Sequence, residues 1–598
     1  MPTSPLSGAI DNVTVVVKVG GSPVEDTISI YSIRIEKEIN KIATAELQFI
    51  IPLGTGDDTS FFLSEKDAYA PGQDVEVSIG YHSNEEKVFE GIIVAQQVRG
   101  RSTGENVLIL KCSHKAVKLT VGRKSAYFKD KKDSEIISSL ISDGGLTAEV
   151  EATTYQHKQL IQYQSIDWDF IMSRADANGL LVYTEKDKVF VKKPLSSGSA
   201  DLILTYGKDV LSFDNRLESR FQMSKVTCKS WDMKTQAMIE NASQEPSLAK
   251  LGNLKSKKMG TDVSIGEAKV EVSGPIEKAE LKDWANAQLQ RARIAGKRGH
   301  ITFVGNAKPK LNTLIKLAGF GKRYNGDALI SKICHEVSEG SWRTSIEYGL
   351  PPEMYIEQRA ISVLPAGGLL PSTNGLLNGT VKKIDADPGG EHRIQVDVPV
   401  IAPSGDGIWA RLSNFYSTKS KGVFFMPEIG DEVVLGFLND DPRYPVILGS
   451  LYSSKLPPPY TADTDNSIKA IVTKNDLKLE FNDKDKVLTI ETPAGNKFIL
   501  SDKDKSITTQ DQNGNKIVMA DSGITISSAK DITMKATGKI DITASQAISA
   551  KSSGGDISVQ GLNVNLKAQV ALSAQGSASA ELKASGQTSV KGAMVMIN

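Results

Sequence analysis

From Ser501 onwards the chain lacks aromatic side chains, proline and cysteine altogether, and all five tryptophans lie at or before Trp409. Aromatic residues supply much of the buried area of ordinary cores. A conventional globular core is therefore not expected in this last part of the chain, which is dominated by Ile, Val, Ala, Ser, Thr, Gly and Lys.

The whole chain also lacks an excess of charge of one sign. It has 71 basic and 71 acidic residues among 598, whereas a nucleic-acid-binding protein shows a basic excess. No apolar run approaches the 18 residues of a membrane span, and residues 1–12 carry no secretory signal pattern. We expect a protein that is made and assembled in the cytoplasm.

Cysteine is equally scarce. Cys112, Cys228 and Cys334 lie more than 100 residues apart and are odd in number. They form no disulfide framework, which fits a reducing compartment.

The length suggests three to five domains, and the first and largest is predicted to be mainly β. Residues 13–19, 43–51, 73–81, 87–98 and 106–112 carry alternating or β-branched runs that predict strands. Apolar stripes with capping residues and terminal glycines predict helices after Lys132, over 166–179 and over 275–296. In the helix over 166–179, Asp167 is expected to cap the N-terminus and Gly179 to take the left-handed conformation that ends the helix. We predict that residues 1–362 contain two β-barrel units with inserted helices.

Two further regions follow. Residues 363–376 are rich in Pro, Gly, Ser and Thr and are predicted to be a linker. Residues 377–455 contain short, evenly spaced strand patterns that predict a five-stranded barrel of the OB type.

The remaining residues, 456–598, carry a repeat. Apolar pairs recur every eight residues as Ile524/Ile526, Ile532/Met534, Ile540/Ile542 and Ile548/Ala550, and they continue as Ile557/Val559 after one extra residue. Eight residues give one short strand and a turn, which one chain cannot bury. We predict an intertwined triple-stranded β-helix whose octads are regular from about 524; octads that extended back to about 467 would make the shaft longer. A single-chain β-solenoid is the alternative, although its rungs are usually longer.

Three motifs resemble the VgrG family of spike proteins. Asp167-Trp168-Asp169-Phe170, followed by Arg174 and Asn178-Gly179, resembles a helix of the family's hub, and a second motif covers residues 407–414. The most specific is residues 422–452, GVFFMPEIGDEVVLGFLNDDPRYPVILGSLY, which resembles the OB-domain signature. The order of hub, OB barrel and octad needle also matches, and the opening residues resemble spikes encoded by Bacteroidetes.

The resemblance implies a structural protein without enzymatic activity. It implies the central hub and spike of a contractile injection system, which caps the inner tube, punctures the target envelope and leaves the cell on firing. The implied partners are two further copies of the chain, an Hcp-like inner tube protein, baseplate components, a PAAR-type tip protein and effector cargo. We expect no cofactor, no nucleic acid and no membrane contact beyond puncture. A type VI secretion tip, an extracellular injection particle and a phage hub all remain open.

Two sets of residues are expected to carry this function. The trimer core of the needle is predicted at Ile524, Ile532, Ile540, Ile548 and Ile557. The unusually apolar segment Met594, Val595, Met596 and Ile597 is predicted to dock the tip protein, since exposed apolar patches mark interaction sites. The other possibility is that these methionines close the needle's own core.

Other motifs are weak. Gly100-Arg101-Ser102-Thr103-Gly104 matches G-x-S-x-G but lies between strands, where a hairpin is expected. His335-Glu336 lacks the second histidine of a zinc helix, because position 339 is Glu.

Two alternative functions stay open. A cell-wall hydrolase spike would need an inserted domain, but only residues 453–467 separate barrel and needle. An OB-type module for oligosaccharide or nucleic acid would use Phe415, Tyr416, Lys419 and Lys421.

Overall fold

A computed structural model describes residues 2–8, 10–51, 61–100, 105–260, 262–263, 265–358, 361, 364–401 and 406–597. The chain divides into unit 1, residues 1–451, and unit 2, residues 452–598. Strands predominate in both units, which confirms the mainly β class.

The first part of unit 1 forms antiparallel strands, because alternating apolar residues place every second side chain on one face. In the strand over 44–51, for example, Leu47 and Phe49 are fully buried. Their neighbours complete one hydrophobic core. The elements are β1 (Val13–Val19), β2 (Ser22–Pro23), β3 (Ile30–Glu38), β4 (Thr44–Ile51), α1 (Phe62–Glu65), β5 (Asp74–Tyr81), β6 (Asn84–Arg99) and β7 (Asn106–Ser113).

A helical layer follows with a core of its own. Ile136, Ile137 and Ile141 of one helix pack against Trp168 and Ile171 of the next. The elements are β8 (Lys124–Lys132), α2 (Asp133–Asp143), β9 (Thr147–Val150), β10 (Gln156–Ser165), α3 (Asp167–Ala177), β11 (Leu181–Glu185) and β12 (Lys188–Lys192).

Two predictions concern the residues at the ends of α3. Gly179 has a φ of 67°, which confirms the left-handed residue that ends the helix. The expected capping by Asp167 is wrong, because Ile166 occupies the N-cap position. The Asp167 carboxylate instead accepts a hydrogen bond from Gln162 Nε2 at 2.9 Å and pairs with Lys124.

The second part of unit 1 returns to strands and contains the long predicted helix. That helix packs on a small three-stranded sheet through Leu281, Ala285 and Leu289. The elements are β13 (Ile203–Thr205), β14 (Val210–Leu217), β15 (Lys225–Asp232), β16 (Ala237–Ala242), α4 (Ser256–Met259), β17 (Glu267–Val272), α5 (Lys278–Ala295), β18 (Lys297–Val304), β19 (Leu314–Ala318), β20 (Gly326–Ser338) and β21 (Ser341–Tyr348).

One thirteen-stranded sheet joins the two β-rich parts. Its main path is β14-β18-β21-β20-β3-β4-β7-β6-β5-β1-β2, and β19 attaches β13 to β20. The junction is the antiparallel pair of β20 with β3. The two predicted units therefore have separate cores but share a sheet.

The end of unit 1 is a closed five-stranded barrel, in agreement with the OB-type prediction. Its core includes Val381, Ile394, Ala410, Leu435 and Ile447. Strands β22, β23, β24, β28 and β27 close it in that order. The elements are α6 (Tyr355–Gln358), β22 (Leu377–Lys383), β23 (Ile394–Asp397), β24 (Ile408–Leu412), β25 (Ser417–Thr418), β26 (Lys421–Gly422), β27 (Glu432–Phe437) and β28 (Pro445–Ser450).

Unit 2 begins with a seven-stranded antiparallel meander. Two consecutive 19-residue segments, 478–496 and 497–515, share a leading lysine, a central DKDK turn and a final Gly-Asn. Each segment forms two strands. The strands are β29 (Ile468–Val472), β30 (Lys478–Asn482), β31 (Val487–Glu491), β32 (Lys497–Ser501), β33 (Ser506–Gln510), β34 (Lys516–Ala520) and β35 (Gly523–Ser527).

The meander differs from the octads in the spacing of its turns. Between 468 and 527 the strands are joined mostly by four- or five-residue turns, so the spacing exceeds eight residues. Beyond Ser527 the described part of a single chain forms no further strand, but it bends at 529–530, 537–538, 545–546 and 553–555. The regular eight-residue spacing begins there.

Candidate functional site

One face of the meander is apolar. Successive side chains of a strand point to opposite faces, and opposed residues of neighbouring strands share a face. Leu479 pairs with Ile490, and Ile490 in turn pairs with Phe498. Following the register through all seven strands defines the apolar face, whose two polar members are Lys469 and Thr509. Its apolar members are Ile471, Leu479, Phe481, Leu488, Ile490, Phe498, Leu500, Ile507, Ile517, Met519, Ile524 and Ile526.

The opposite face is more polar, although it also carries Val487, Ile499 and Val518, and its charged groups pair within the chain. Glu491 accepts from Lys478 Nζ at 2.9 Å and from Lys497 Nζ at 2.7 Å. These hydrogen bonds lower the pKa of the Glu491 carboxyl, that from Lys497 most strongly. The apolar face has no such cover, since most of its side chains are exposed or half-buried in one chain. An uncovered apolar surface of this size marks an association surface.

The predicted trimer core continues this face. Ile524 belongs to the meander's apolar face, whereas Ile532, Ile540, Ile548 and Ile557 lie in the bent segment that follows. In a single chain these five side chains are between 53% and 69% exposed. Only other chains can bury them, so their role as the trimer core stays a prediction.

The spacing of the octads has one irregularity. The bend at 553–555 is one residue longer than those before it, and Ile557 follows Ile548 by nine residues. The lengthened bend accommodates the extra residue that precedes Ile557.

The predicted tip-docking residues Met594, Val595, Met596 and Ile597 are all exposed in one chain. Their exposure fits either docking or closure of a trimeric needle. Their role stays a prediction.

The octad pattern does not include the apolar residues between Ile471 and Met519. The 19-residue repeat was the available signal, because it places an apolar residue at corresponding positions such as Phe481 and Leu500, or Leu488 and Ile507. Phe481 and Phe498 place aromatic side chains on the apolar face before the octads begin.

The hub motif is structural. Trp168 and Phe170 are buried, which confirms their assignment to the core. Arg174 forms two hydrogen bonds to the Asp133 carboxylate, and Asn178 Nδ2 donates a third at 2.8 Å. The motif therefore fixes α3 against the start of α2.

The same helix holds the segment that leaves the hub. Asp176 accepts from Arg291 Nη2 of α5 and from the Tyr355 backbone N–H of α6, both at 2.6 Å. The Tyr355 hydroxyl donates to Asp169 at 2.7 Å. Helix α3 thus ties α2, α5 and α6 together.

The weak motifs gain no support as catalytic sites. The G-x-S-x-G match falls largely outside the described residues, which resume at 105. His335 is buried in β20, where its Nδ1 lies 3.1 Å from Thr344 Oγ1, and burial lowers its pKa to about 3. Burial also favours the neutral form of two thiols: it raises the pKa of Cys112 to about 12 and that of Cys334 to about 11.

Among the described residues, no group of three or more His, Cys, Asp and Glu side chains is placed to hold a metal ion. Nor does any helix in the described part of the chain have the length and apolar character needed to span a membrane.

Family models match three parts of the chain. The Alg8 N-terminal domain matches residues 9–339, which is more than half of the chain. The type VI secretion system/phage-baseplate injector OB domain matches residues 377–452. The phage baseplate V C-terminal trimerisation domain matches residues 487–598 and supports a trimeric assembly.

Curated relatives match over shorter stretches. The actin cross-linking toxin VgrG1 of Vibrio cholerae is 33% identical over 91 residues, which is 15% of this chain and 8% of the toxin. The type VI secretion system spike protein VgrG1a of Pseudomonas aeruginosa is 32% identical over 78 residues, 12% of each chain. The alignments thus span about a tenth of these relatives.

Solved structures show remote likeness. The 43 kDa tail protein of prophage MuSo2 from Shewanella oneidensis has a TM-score of 0.43 at 16% identity, covering 57% of this chain and 98% of that one. A type VI secretion component from E. coli has a TM-score of 0.37 at 12% identity, covering 73% and 99%. The matched domains point to a structural, non-enzymatic role. With an Alg8 N-terminal domain, an injector OB domain and a baseplate trimerisation domain in one chain, this protein belongs to the Alg8 N-terminal domain family, and its OB and trimerisation domains support a VgrG-family spike.

Proposed function

We propose that the chain is the trimeric central hub and spike of a contractile injection system. The observation that carries this proposal is the apolar face of unit 2, which runs through seven strands and leads into the octads. Three such faces turned towards one axis would bury each other and leave the three polar faces in water. The product is a stiff shaft, as puncture requires.

The pairing pattern also suits mechanical load. Five-residue strands joined by short turns leave few open edges along the meander, and interwound chains would close the edges of the octad segment. Compression along such a shaft acts on many hydrogen bonds at once.

The partners follow from the positions of the domains. The hub, with its thirteen-stranded sheet, would cap an Hcp-like inner tube within a baseplate. Met594, Val595, Met596 and Ile597 would dock a PAAR-type tip, because an exposed apolar cluster favours association. Effector cargo would travel with the spike. The trimer assembles in the cytoplasm and leaves the cell on firing.

The proposal assigns no catalytic step to this chain. Two of the motifs, around Arg174 and Asp441, serve packing: Arg443 donates to the Asp441 carboxylate at 2.6 Å inside a turn. The activity in the name of the cross-linking relative concerns that toxin.

Reconstitution tests the proposal. The purified chain is combined with the inner tube protein of its own locus and imaged by electron microscopy. We expect trimers seated on tube ends in a fixed orientation. Monomers, or trimers that do not bind the tube ends, would contradict the hub-and-spike role.

A further inference from the structure

An arm of the OB barrel carries four exposed aromatic residues. We define the aromatic arm as residues 413–425, which include Phe415, Tyr416, Phe424 and Phe425. The arm folds as the hairpin β25–β26, whose strands pair only with each other in the described residues. The Ser413 backbone N–H anchors its start by donating to the Ile447 carbonyl at 2.9 Å.

The aromatic arm is not covered by its own chain. Phe415 is 89% exposed and Phe424 is 82% exposed, and the other two rings are more than half exposed. The hub belongs to the same unit and leaves the arm open. Four exposed aromatics in thirteen residues form a patch of the kind that marks an association surface.

The barrel wall offers a complementary surface. Leu376 and Leu448 are both more than half exposed and flank Gly436. A Cβ atom at Gly436 would lie 3.3 Å from Leu448 Cδ1 and 3.7 Å from Leu376 Cδ2, so the two leucine side chains lie beside the bare Gly436 backbone. We name these three residues the wall groove.

We propose that the aromatic arm of one copy docks on the barrel of a second copy of this chain, at the wall groove. The inference rests on the proposed trimer. A three-fold assembly repeats one heterologous contact, arm to wall, three times and closes the ring. The trimerisation domain lies in the same chain as the barrel, so three barrels meet at an effective concentration of about millimolar.

The area suits a contact that adds to trimerisation. The four rings expose about 500 Å² per arm, given about 200 Å² for a buried aromatic side chain. The wall groove exposes less than half of that area, so each contact buries less than the ~1,000 Å² of an independent specific interface and depends on the effective concentration within the trimer.

The rival occupant is a nucleic acid or oligosaccharide bound by the arm. Lys419 and Lys421 are exposed beside the rings, but they are the only cations of the arm, and the chain as a whole carries no net charge. Single-strand binders combine aromatics with a basic groove. The second copy of the chain is therefore favoured.

Photo-crosslinking tests the contact in the full chain. p-Benzoylphenylalanine replaces Phe415, and the protein is irradiated after light scattering has established its oligomeric state. We expect covalent products of two and three chains, mapped to the barrel of the neighbouring chain. The same probe at Glu391, an exposed residue in a polar loop of the barrel, should give single chains only.

The outcomes separate the two proposals. Trimers without chain-to-chain products, or with products on the neighbour's hub or needle, overturn the docking contact alone. A monomeric chain overturns the trimer and, with it, the proposed function.

A second pair of variants tests the contact without the crosslinking residue, which could itself alter the arm. Replacing Phe415 and Phe424 by Ser should lower the thermal transition of the trimer by about 5 °C, whereas replacing Lys419 and Lys421 by Ser should leave it unchanged. Weaker binding of single-stranded DNA in the lysine variant, with an unchanged transition in the aromatic variant, would overturn the proposal.

Discussion

Arg174 and Asp133 form a bidentate ion pair, with Nε to Oδ1 at 2.7 Å and Nη2 to Oδ2 at 2.9 Å. Burial by itself would raise the pKa of the Asp133 carboxyl, but the hydrogen bonds and charge of Arg174 outweigh burial and lower it below 3.8. His157 Nε2 lies 3.1 Å from the same carboxylate. The pair joins two helices that lie forty residues apart in sequence.

Arg174→Ala should destabilise the helical layer by about 3–5 kcal/mol, because it leaves a buried carboxylate without its cation. Hydrogen exchange of peptides covering α2 and α3 measures the loss. The matched control is Arg220→Ala, which removes an exposed partner of Glu218 and should leave exchange nearly unchanged. Equal hydrogen exchange in both variants would show that the ion pair does not stabilise the contact between α2 and α3.

The same pair predicts a pH dependence. The pKa of Asp133 is lower in the folded than in the unfolded chain, so its contribution is complete well above pH 3.8 and is lost as the pH falls through the folded value. Protection of α2 should decrease in this acid range, and Asp133→Asn should abolish that component. An unchanged acid profile in the variant contradicts the assignment.

His335 predicts a second pH effect at higher pH. Burial and, to a lesser degree, the charge of Lys37 lower its pKa from 6.5 to about 3. Below pH 6.5 the unfolded chain therefore binds a proton at this residue that the folded chain does not bind. The free energy of unfolding falls as the pH decreases from 6.5 towards 3, by about 1.4 kcal/mol per pH unit. Thermal melting of His335→Gln should lack this slope between pH 6 and pH 4; a retained slope would assign it to another group.

Phe498→Lys should prevent trimer formation. The side chain lies on the apolar face, and three-fold symmetry would place three unpaired ammonium groups together, each costing several kcal/mol. Light scattering measures the assembly. Thr508→Lys changes a residue of the adjacent strand on the polar face and should leave the trimer intact. Trimers in both variants would mean that the apolar face is not the association surface.

Ile540→Lys tests the octads separately from the meander. If Ile540 faces the axis, the introduced lysine cannot be hydrated, and the segment after Ser527 should fail to assemble. Increased protease sensitivity of residues 528–597 would report this failure. Lys539→Ile, one position earlier, is the matched control, because Lys539 pairs with Asp541 at the surface. Protection equal to that of the unaltered chain would falsify an inward Ile540.

Met594→Ser combined with Met596→Ser should abolish co-purification with the tip protein of the same locus while leaving the trimer intact. The reason is loss of the exposed apolar contact. Size-exclusion chromatography separates the two effects. A variant that keeps the tip at wild-type stoichiometry contradicts docking through these residues, and a variant that dissociates into monomers assigns them to the needle's own core.

Local signals in the sequence were sufficient for many elements. The alternation at 13–19 and 44–51, the long helix ending at Ala295 and the left-handed Gly179 all reflect short-range rules of side-chain direction and backbone freedom. The barrel strands follow from the same rules, as does the eight-residue spacing after Ser527. Each of these features depends on residues that lie close together in the sequence.

Contacts between distant segments were decided only by tertiary structure. The pairing of β20 with β3 joins residues some three hundred positions apart, and no local pattern specifies which edges meet. Asp167 is a good capping residue by type, yet its carboxylate turns to Gln162 and Lys124, because neighbouring strands bring those donors within reach. Likewise, the register of the meander assembles the apolar face from residues whose common side is visible only once the strands are paired. The sequence by itself therefore determined the periodic elements, whereas which faces and carboxylates lie together was decided by packing over long chain separations.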